Sequence, residues 1–220
     1  MRIPVLIYHS INNDGSNLSL NISDFEKQII FIKKRNFKTI NFDQINNKDK
    51  KQIIITFDDG YKDLIDNVLP ILKKYNFTAT CFVISNLIGT QNSWDLNKKK
   101  YTRKNLMNIN DIKEWISKGM FIGSHSHNHI DLTTLNINEL SNELIFSKKS
   151  LEDKIGIKIN NFSYPFGKVN KFVYKKTKEI FTKAVTTNRS RYDINKHDVH
   201  LIPRIDMGKN LSSFKIFLKL

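Results

Sequence analysis

Cysteine is nearly absent from these 220 residues: Cys81 stands alone, which excludes an intrachain disulfide and any zinc site built from several thiolates. It lies in the apolar run from Ala79 to Ile84, where a thiol reads as a small buried hydrophobe rather than a nucleophile. No low-complexity stretch and no fixed-period repeat interrupts the chain, so neither a disordered segment nor a repeat array is expected. No run approaches the ~18 consecutive apolar residues of a membrane span. The opening Met1-Arg2-Ile3-Pro4-Val5-Leu6-Ile7 is too short for a signal-peptide core, although a chain trimmed of its leader would look the same. Read as written, the protein is cytoplasmic, with contact at the inner membrane face as an alternative. Acidic residues are also scarce, 21 against 36 Lys and Arg, for a formal net charge of +15. Lys, Asn and Ile are abundant along the whole chain, which points to coding bias, and no nucleic-acid motif accompanies the charge. Nucleic acid is not the expected partner; a weak attraction to phosphorylated glycolipid or a membrane surface stays open.

The length suits one domain, residues 1–220, and matches the usual size of a single α/β barrel. Short β-branched runs alternate with helical patterns, the signature of βα units around a parallel sheet or barrel. The strands expected are Ile3–Tyr8, Phe37–Asn41, Gln52–Phe57, Thr78–Ile84, Met120–Gly123, Asn161–Tyr164, Lys183–Thr186 and Val199–Ile202. Ser23 with Glu26, and Asp111 with Glu114, spell helix starts of the capping-box type. A third helix is expected from about Asn138 to Ile155, closed by Gly156, and Pro70 should kink or restart a helix that includes Leu64 and Val68. Residues 86–108 read as a long loop. Its Trp94 can stack on a sugar ring or pin the loop to the core, and its Lys98-Lys99-Lys100 run is polar.

Two features carry chemistry. An apolar strand, Ile53-Ile54-Ile55-Thr56-Phe57, runs straight into Asp58-Asp59-Gly60, and carboxylates at the carboxyl end of a parallel strand face the active side of an α/β fold. Taken alone, this can equally be a turn with a helix cap. The second feature is Gly123-Ser124-His125-Ser126-His127-Asn128-His129, which places three of the chain's six histidines within five residues. His125 and His129 are four apart, so a helical turn would put both imidazoles on one face, while solvent-facing histidines are the plainer alternative. A carboxylate with two histidines makes a facial metal site that leaves positions open for water and substrate.

At Thr56-Phe57-Asp58-Asp59-Gly60 and His125-Ser126-His127-Asn128-His129 the chain resembles the NodB-type polysaccharide deacetylases, carbohydrate esterase family four. The resemblance implies an α/β fold, a distorted barrel of seven or eight β/α units with its groove at the carboxyl ends of the strands. It also implies metal-dependent hydrolysis of the N-acetyl group of an amino sugar in a polysaccharide, oligosaccharide or glycolipid. In the family's terms Asp59, His125 and His129 hold a divalent metal, zinc first with cobalt or nickel as alternatives, and Asp58 is the general base. The third family motif, usually Arg-x-Pro-Tyr, stands here as Ser163-Tyr164-Pro165-Phe166-Gly167 without its arginine. Tyr164, Pro165 and Phe166 would flank the substrate, with the Phe166 backbone N–H binding the oxyanion. Arg204 is the candidate replacement that orients Asp58, against a plain surface arginine. The late Leu-x-Ile-His motif is missing, and the spelling match Asp111–Trp115 to another motif lies in the wrong order. The opening Pro4-Val5-Leu6-Ile7-Tyr8-His9-Ser10 is similar to the poly-N-acetylglucosamine deacetylase subgroup, which implies His9 as the acid that protonates the leaving amine. His200 is the reserve for that role, and His197 fits no better. The alternatives are a deformylase or deacetylase of a polyprenyl-phosphate-linked sugar and a non-catalytic glycan-binding module that keeps its metal.

Overall fold

The computed structural model of the chain describes residues 1–46, 49, 51–94 and 101–208. The β-branched runs become strands β1 (Val5–Tyr8), β2 (Lys38–Thr39), β3 (Gln52–Phe57), β4 (Thr80–Val83), β5 (Phe121–Ser124), β6 (Asn161–Ser163), β7 (Lys183–Val185) and β8 (Ile205–Asp206). They lie in the order β7-β6-β5-β4-β3-β1-β8, all parallel, with β2 beside the first half of β3. Every residue of β1, β3 and β4 is buried, because helices cover one face and the barrel interior the other.

Successive side chains on β1 and β3 enter two different cores, as the period of two requires. Val5 and Ile54 join Ile3, Phe42, Phe82, Val185, Tyr192 and Ile202 inside the curl of the sheet. Leu6, Tyr8, Ile53, Ile55 and Phe57 face outward under the helices. There Phe57 meets Tyr8 at 5.4 Å, Phe25 at 5.9 Å and Trp115 at 6.2 Å between ring centroids. Such pairs add about 0.5–1.5 kcal/mol each beyond the area they bury.

The sheet curls until one segment reaches both of its edges. Ile202 bridges to Val185 of β7, and Ile205 pairs with Leu6 of β1. Residues 202–206 therefore span the opening of a distorted half-barrel, the fold class expected. The expected strand Val199–Ile202 is corrected here: its backbone turns back on Asp198, with Leu201 N bonded to Asp198 O at 3.0 Å and His200 N to Asp198 Oδ1 at 2.7 Å. Pairing resumes as a strand only at β8.

Outside the sheet lie α1 (Ile22–Lys34), α2 (Leu69–Lys74), α3 (Ile109–Ser117), α4 (Ile137–Ile155) and α5 (Lys171–Ile180). Both capping-box expectations were displaced by two or three residues. Asn21, not Ser23, precedes α1, and Asn108 forms the box of α3 with Asp111 as its third residue. An asparagine side chain caps three of these helices, since Asn136 caps α4 and Asn170 caps α5, whereas Asn21 makes no capping bond. Gly156 closes α4 in the left-handed conformation, φ 72°. Pro70 sits in the first turn of α2, directly after a wide π turn over Leu64–Val68, so the helix restarts there. Helix α5 was not legible in the sequence because it buries only Val173 and Thr177. Cys81 is fully buried in β4, and burial pushes its thiol pKa up. Among the described residues no helix is long and apolar enough to cross a membrane.

Gly123 in β5 is irreplaceable on packing grounds: a Cβ there would lie 2.5 Å from the Phe82 ring and 3.0 Å from Asn161 O. Gly123→Ala should lower the unfolding free energy by about 1–3 kcal/mol. Urea denaturation checks this, with a midpoint unchanged from the wild type as the contrary result.

Candidate functional site

The site grows from the carboxyl ends of four strands and the closing segment. Asp58 and Asp59 follow β3, His125 follows β5, Ser163 ends β6, and His9 follows β1. Backbone bonds prolong the ladder past the strand ends, from Asp58 N to Tyr8 O at 3.0 Å and from His125 N to Val83 O at 2.9 Å. The side chains of these residues therefore start from rigid backbone.

Asp59 Oδ1 lies 3.4 Å from His125 Nε2 and 3.3 Å from His129 Nε2, and one ligand atom from each of the three residues falls within 4.8 Å of the others. All three side chains are buried. The His125 Nδ1 is 2.8 Å from the Ser163 carbonyl oxygen, an acceptor only, so Nδ1 carries a proton and Nε2 is the ring nitrogen turned to the Asp59 carboxylate. Burial pushes the His129 pKa down to about 4, which leaves that ring neutral at pH 7. Burial also opposes charge on His125, but Asp58 and Asp59 outweigh it and raise its pKa. A carboxylate and two imidazole nitrogens within reach of one point, with one histidine anchored from behind, fit a divalent cation.

The convergence does not come from a helical turn, as the four-residue spacing suggested. Ser126 and His129 both adopt left-handed backbone, φ 67° and 56°, and His129 N donates to Ser126 Oγ at 3.0 Å. Asp59 at φ 72° and Phe166 at φ 59° share that conformation. Four non-glycine residues in or beside one pocket thus hold backbone that costs about 1–3 kcal/mol each.

Arg204 is buried to 1% exposure and grips Asp58 with both arms of its guanidinium. Nη1 donates to Asp58 Oδ1 and Nη2 to Asp58 Oδ2, each at 2.7 Å. Its Nε donates to Thr186 O at 2.9 Å, Nη1 to Thr56 Oγ1 at 3.2 Å and Nη2 to Ser163 Oγ at 3.0 Å. The surface alternative for Arg204 is thereby excluded. Burial alone would raise the Asp58 pKa, yet the Arg204 and His125 charges pull it below the ordinary carboxylate value.

Around this centre an open pocket of about 100 Å³ is lined by His9, Leu18, Asp58, Asp59, Trp94, Tyr101, His125, His129, Tyr164, Phe166, Gly167 and Thr187. Trp94 stands 4.6 Å from the His129 ring and Phe166 stands 4.7 Å from it on centroids. Trp94 is half-buried, so it is part of the pocket wall rather than a core anchor. Tyr164 is buried and donates its hydroxyl to His200 O at 3.0 Å. Pro165 is buried beneath the turn.

Residues 45–185 match the family profile described as polysaccharide deacetylase. The chain belongs to the polysaccharide deacetylase family. YxkH of Bacillus subtilis (strain 168) is 27% identical, over 99% of this chain and 76% of its own. The poly-β-1,6-N-acetyl-D-glucosamine N-deacetylase of Staphylococcus aureus (strain MRSA252) is 26% identical, over 91% of this chain and 77% of its own. The Streptococcus pyogenes deacetylase PplD, solved in complex with acetate, shares the fold with a TM-score of 0.85 at 23% identity, covering 100% of this chain and 98% of that one.

In this polysaccharide deacetylase the reserve histidines lie elsewhere. His200 Nε2 bonds with Phe181 O at 3.0 Å, and His197 Nδ1 accepts from Asp193 N at 2.8 Å beside Tyr192. Lys98-Lys99-Lys100 falls outside the described residues. One residue that shapes the site escaped the sequence reading: Glu143 of α4, whose Oε1 accepts from His127 N at 2.9 Å and Asn128 N at 2.5 Å, while Oε2 accepts from Asn128 Nδ2 at 2.8 Å. A glutamate on the mostly apolar buried face of a helix was the available signal. Glu143→Ala strips two backbone N–H groups of their partner and should cost about 1–3 kcal/mol. Faster hydrogen exchange at the His127 and Asn128 amides, with a lower urea midpoint, is the expected result.

Proposed function

We propose that residues 1–220 form one deacetylase domain that hydrolyses the N-acetyl group of an amino sugar in a poly-N-acetylglucosamine type of glycan, with a divalent metal, zinc first. The observation that carries this is the convergence of Asp59, His125 and His129 beside an Asp58 clamped by Arg204. The S. aureus relative acts on poly-β-1,6-N-acetyl-D-glucosamine, and its 26% identity reaches 91% of this chain. His9 in the same pocket, at the amino-terminal strand, supports that subgroup.

A cation held by Asp59, His125 and His129 supplies charge that acidifies water and polarises an amide carbonyl. The rest is work for the chain's own groups. Asp58, ionised and oriented by Arg204 and Ser163, accepts the proton of the attacking water. The Phe166 N–H, in a left-handed turn on the pocket rim, donates to the oxyanion as the carbonyl becomes tetrahedral. His9 delivers a proton to the departing amine. Trp94, Leu18 and Phe166 give the acetyl methyl and the sugar face an apolar wall.

Turnover of N-acetylglucosamine oligomers, N-acetylgalactosamine glycolipids and acetate esters with zinc, cobalt or nickel tests the reading, and chelation should abolish it. Asp58→Asn should reduce kcat about 100- to 10,000-fold. Undiminished turnover by that variant would remove Asp58 as the base.

Only ionised Asp58 can accept a proton, so activity is lost as pH falls through its pKa. Arg204 lowers that pKa and carries activity to more acidic pH. In Arg204→Met, burial prevails and the acid limb of the kcat/KM profile should move up in pH, with partial recovery under alkaline conditions. A profile of unchanged shape, merely scaled down, would contradict this.

A further inference from the structure

Beside the pocket, but not in its lining, one ammonium ties three pieces of chain together. Lys104 lies in the segment between β4 and α3, and its side chain is 7% exposed. Its Nζ donates to Ser10 Oγ at 2.8 Å, pairs with the Asp14 carboxylate and stands 3.5 Å from Asp63 Oδ2. Ser10 Oγ in turn donates to Asp63 Oδ2 at 2.5 Å. Each anchor belongs to chain that reaches the pocket. Ser10 follows His9, Asp63 comes four residues after Asp59, and Lys104 comes three after Tyr101.

The arm that bears Lys104 is stitched to the arm that bears Trp94. Lys104 N donates to Asn92 Oδ1 at 2.6 Å, Asn92 N to Lys104 O at 3.1 Å, and Leu106 N to Thr90 O at 2.9 Å. At their base the arms are fixed by Met107 N to Gly60 O at 2.8 Å and Lys62 N to Asn105 O at 2.9 Å. On the His9 side they meet the first loop through Lys104 and through Thr102 Oγ1, which donates to Asp14 Oδ2 at 3.1 Å. Burial raises the Asp63 pKa against the opposing contacts of Ser10 and Lys104, so this carboxylate needs a nearby cation. Without Lys104, the buried Asp63 carboxylate would lose its cation, and the more exposed Asp14 would lose its link to it.

We propose that Lys104 is a positioning residue: by holding Asp14, Asp63 and Ser10 together it fixes the arms carrying Trp94 and Tyr101 against the His9 loop and so sets the width of the sugar pocket. The proposal rests on the reading of that pocket as the seat of an N-acetylated sugar. Its effect falls on binding, because Asp58 is held by Arg204 and Ser163, which Lys104 does not touch.

Lys104→Met should raise KM for N-acetylglucosamine oligomers about tenfold while kcat stays within about threefold, the pattern of lost uniform binding. Acrylamide quenching of tryptophan emission should increase, reporting Trp94 because Trp115 is fully buried. Lys104→Arg should restore both readouts, and Asp14→Asn or Thr102→Val should shift both in the same direction by less. Unchanged KM and quenching in Lys104→Met would overturn the proposal, as would a fall in kcat alone. Should Lys104→Met not fold, Asp14→Asn decides by the same two measurements. If the wild type turns over no acetylated sugar, the deacetylase reading fails, and quenching by itself then judges whether Lys104 holds the arms.

Discussion

The buried pair between Arg204 and Asp58 joins the last segment of the barrel to the middle of its sheet. Arg204 stands between Ile202, which touches β7, and Ile205, which pairs with β1, so the guanidinium reaches the centre from the segment that closes the opening. Its bonds to Thr56, Asp58, Ser163 and Thr186 tie the ends of β3, β6 and β7 to that segment. Two buried charges are costly to desolvate and are retained only when hydrogen bonds satisfy them fully. Here they do, and removing one partner of such a pair costs roughly 3–5 kcal/mol. Closure of the barrel and orientation of Asp58 are thus one interaction.

Around that pair the backbone is bent where side chains must converge. Asp59, Ser126, His129 and Phe166 hold left-handed conformations that regular strands and helices would not permit. The turn containing His127 and Asn128 stays in place because Glu143 accepts its backbone N–H groups from the facing helix. The strain sits at the site, and the packed sheet and α4 on either side hold it there.

The pocket wall is assembled from distant chain in the same way. Trp94 and Tyr101 come from a segment joined to the first loop by the charges of Lys104, Asp14 and Asp63, while Phe166 comes from the turn after β6. Rigid strand ends carry most of the polar groups, and loops carry the apolar ones, one of them fastened by the ion pairs of Lys104. This division suits a site in which polar atoms need sub-ångström placement and the wall needs only shape.

By itself the sequence determined the strands that bear the site, since Gln52–Phe57 and its neighbours are apolar runs that only a buried parallel sheet accommodates. It also located the candidate site, because two adjacent carboxylates and a histidine cluster stand directly after such strands. Only the tertiary structure decided how the parts meet. Val199–Ile202 has strand composition yet turns on Asp198, a competition between a side-chain acceptor and the sheet ladder that local pattern does not reveal. The four-residue histidine spacing reads as a helix, whereas two left-handed residues bring the rings together. Arg204 is 146 positions from Asp58, and Glu143 is 16 from His127, so neither contact has a local signature. Helix and strand periods record which face is buried; which distant charge completes a site is set by how the sheet curls and closes.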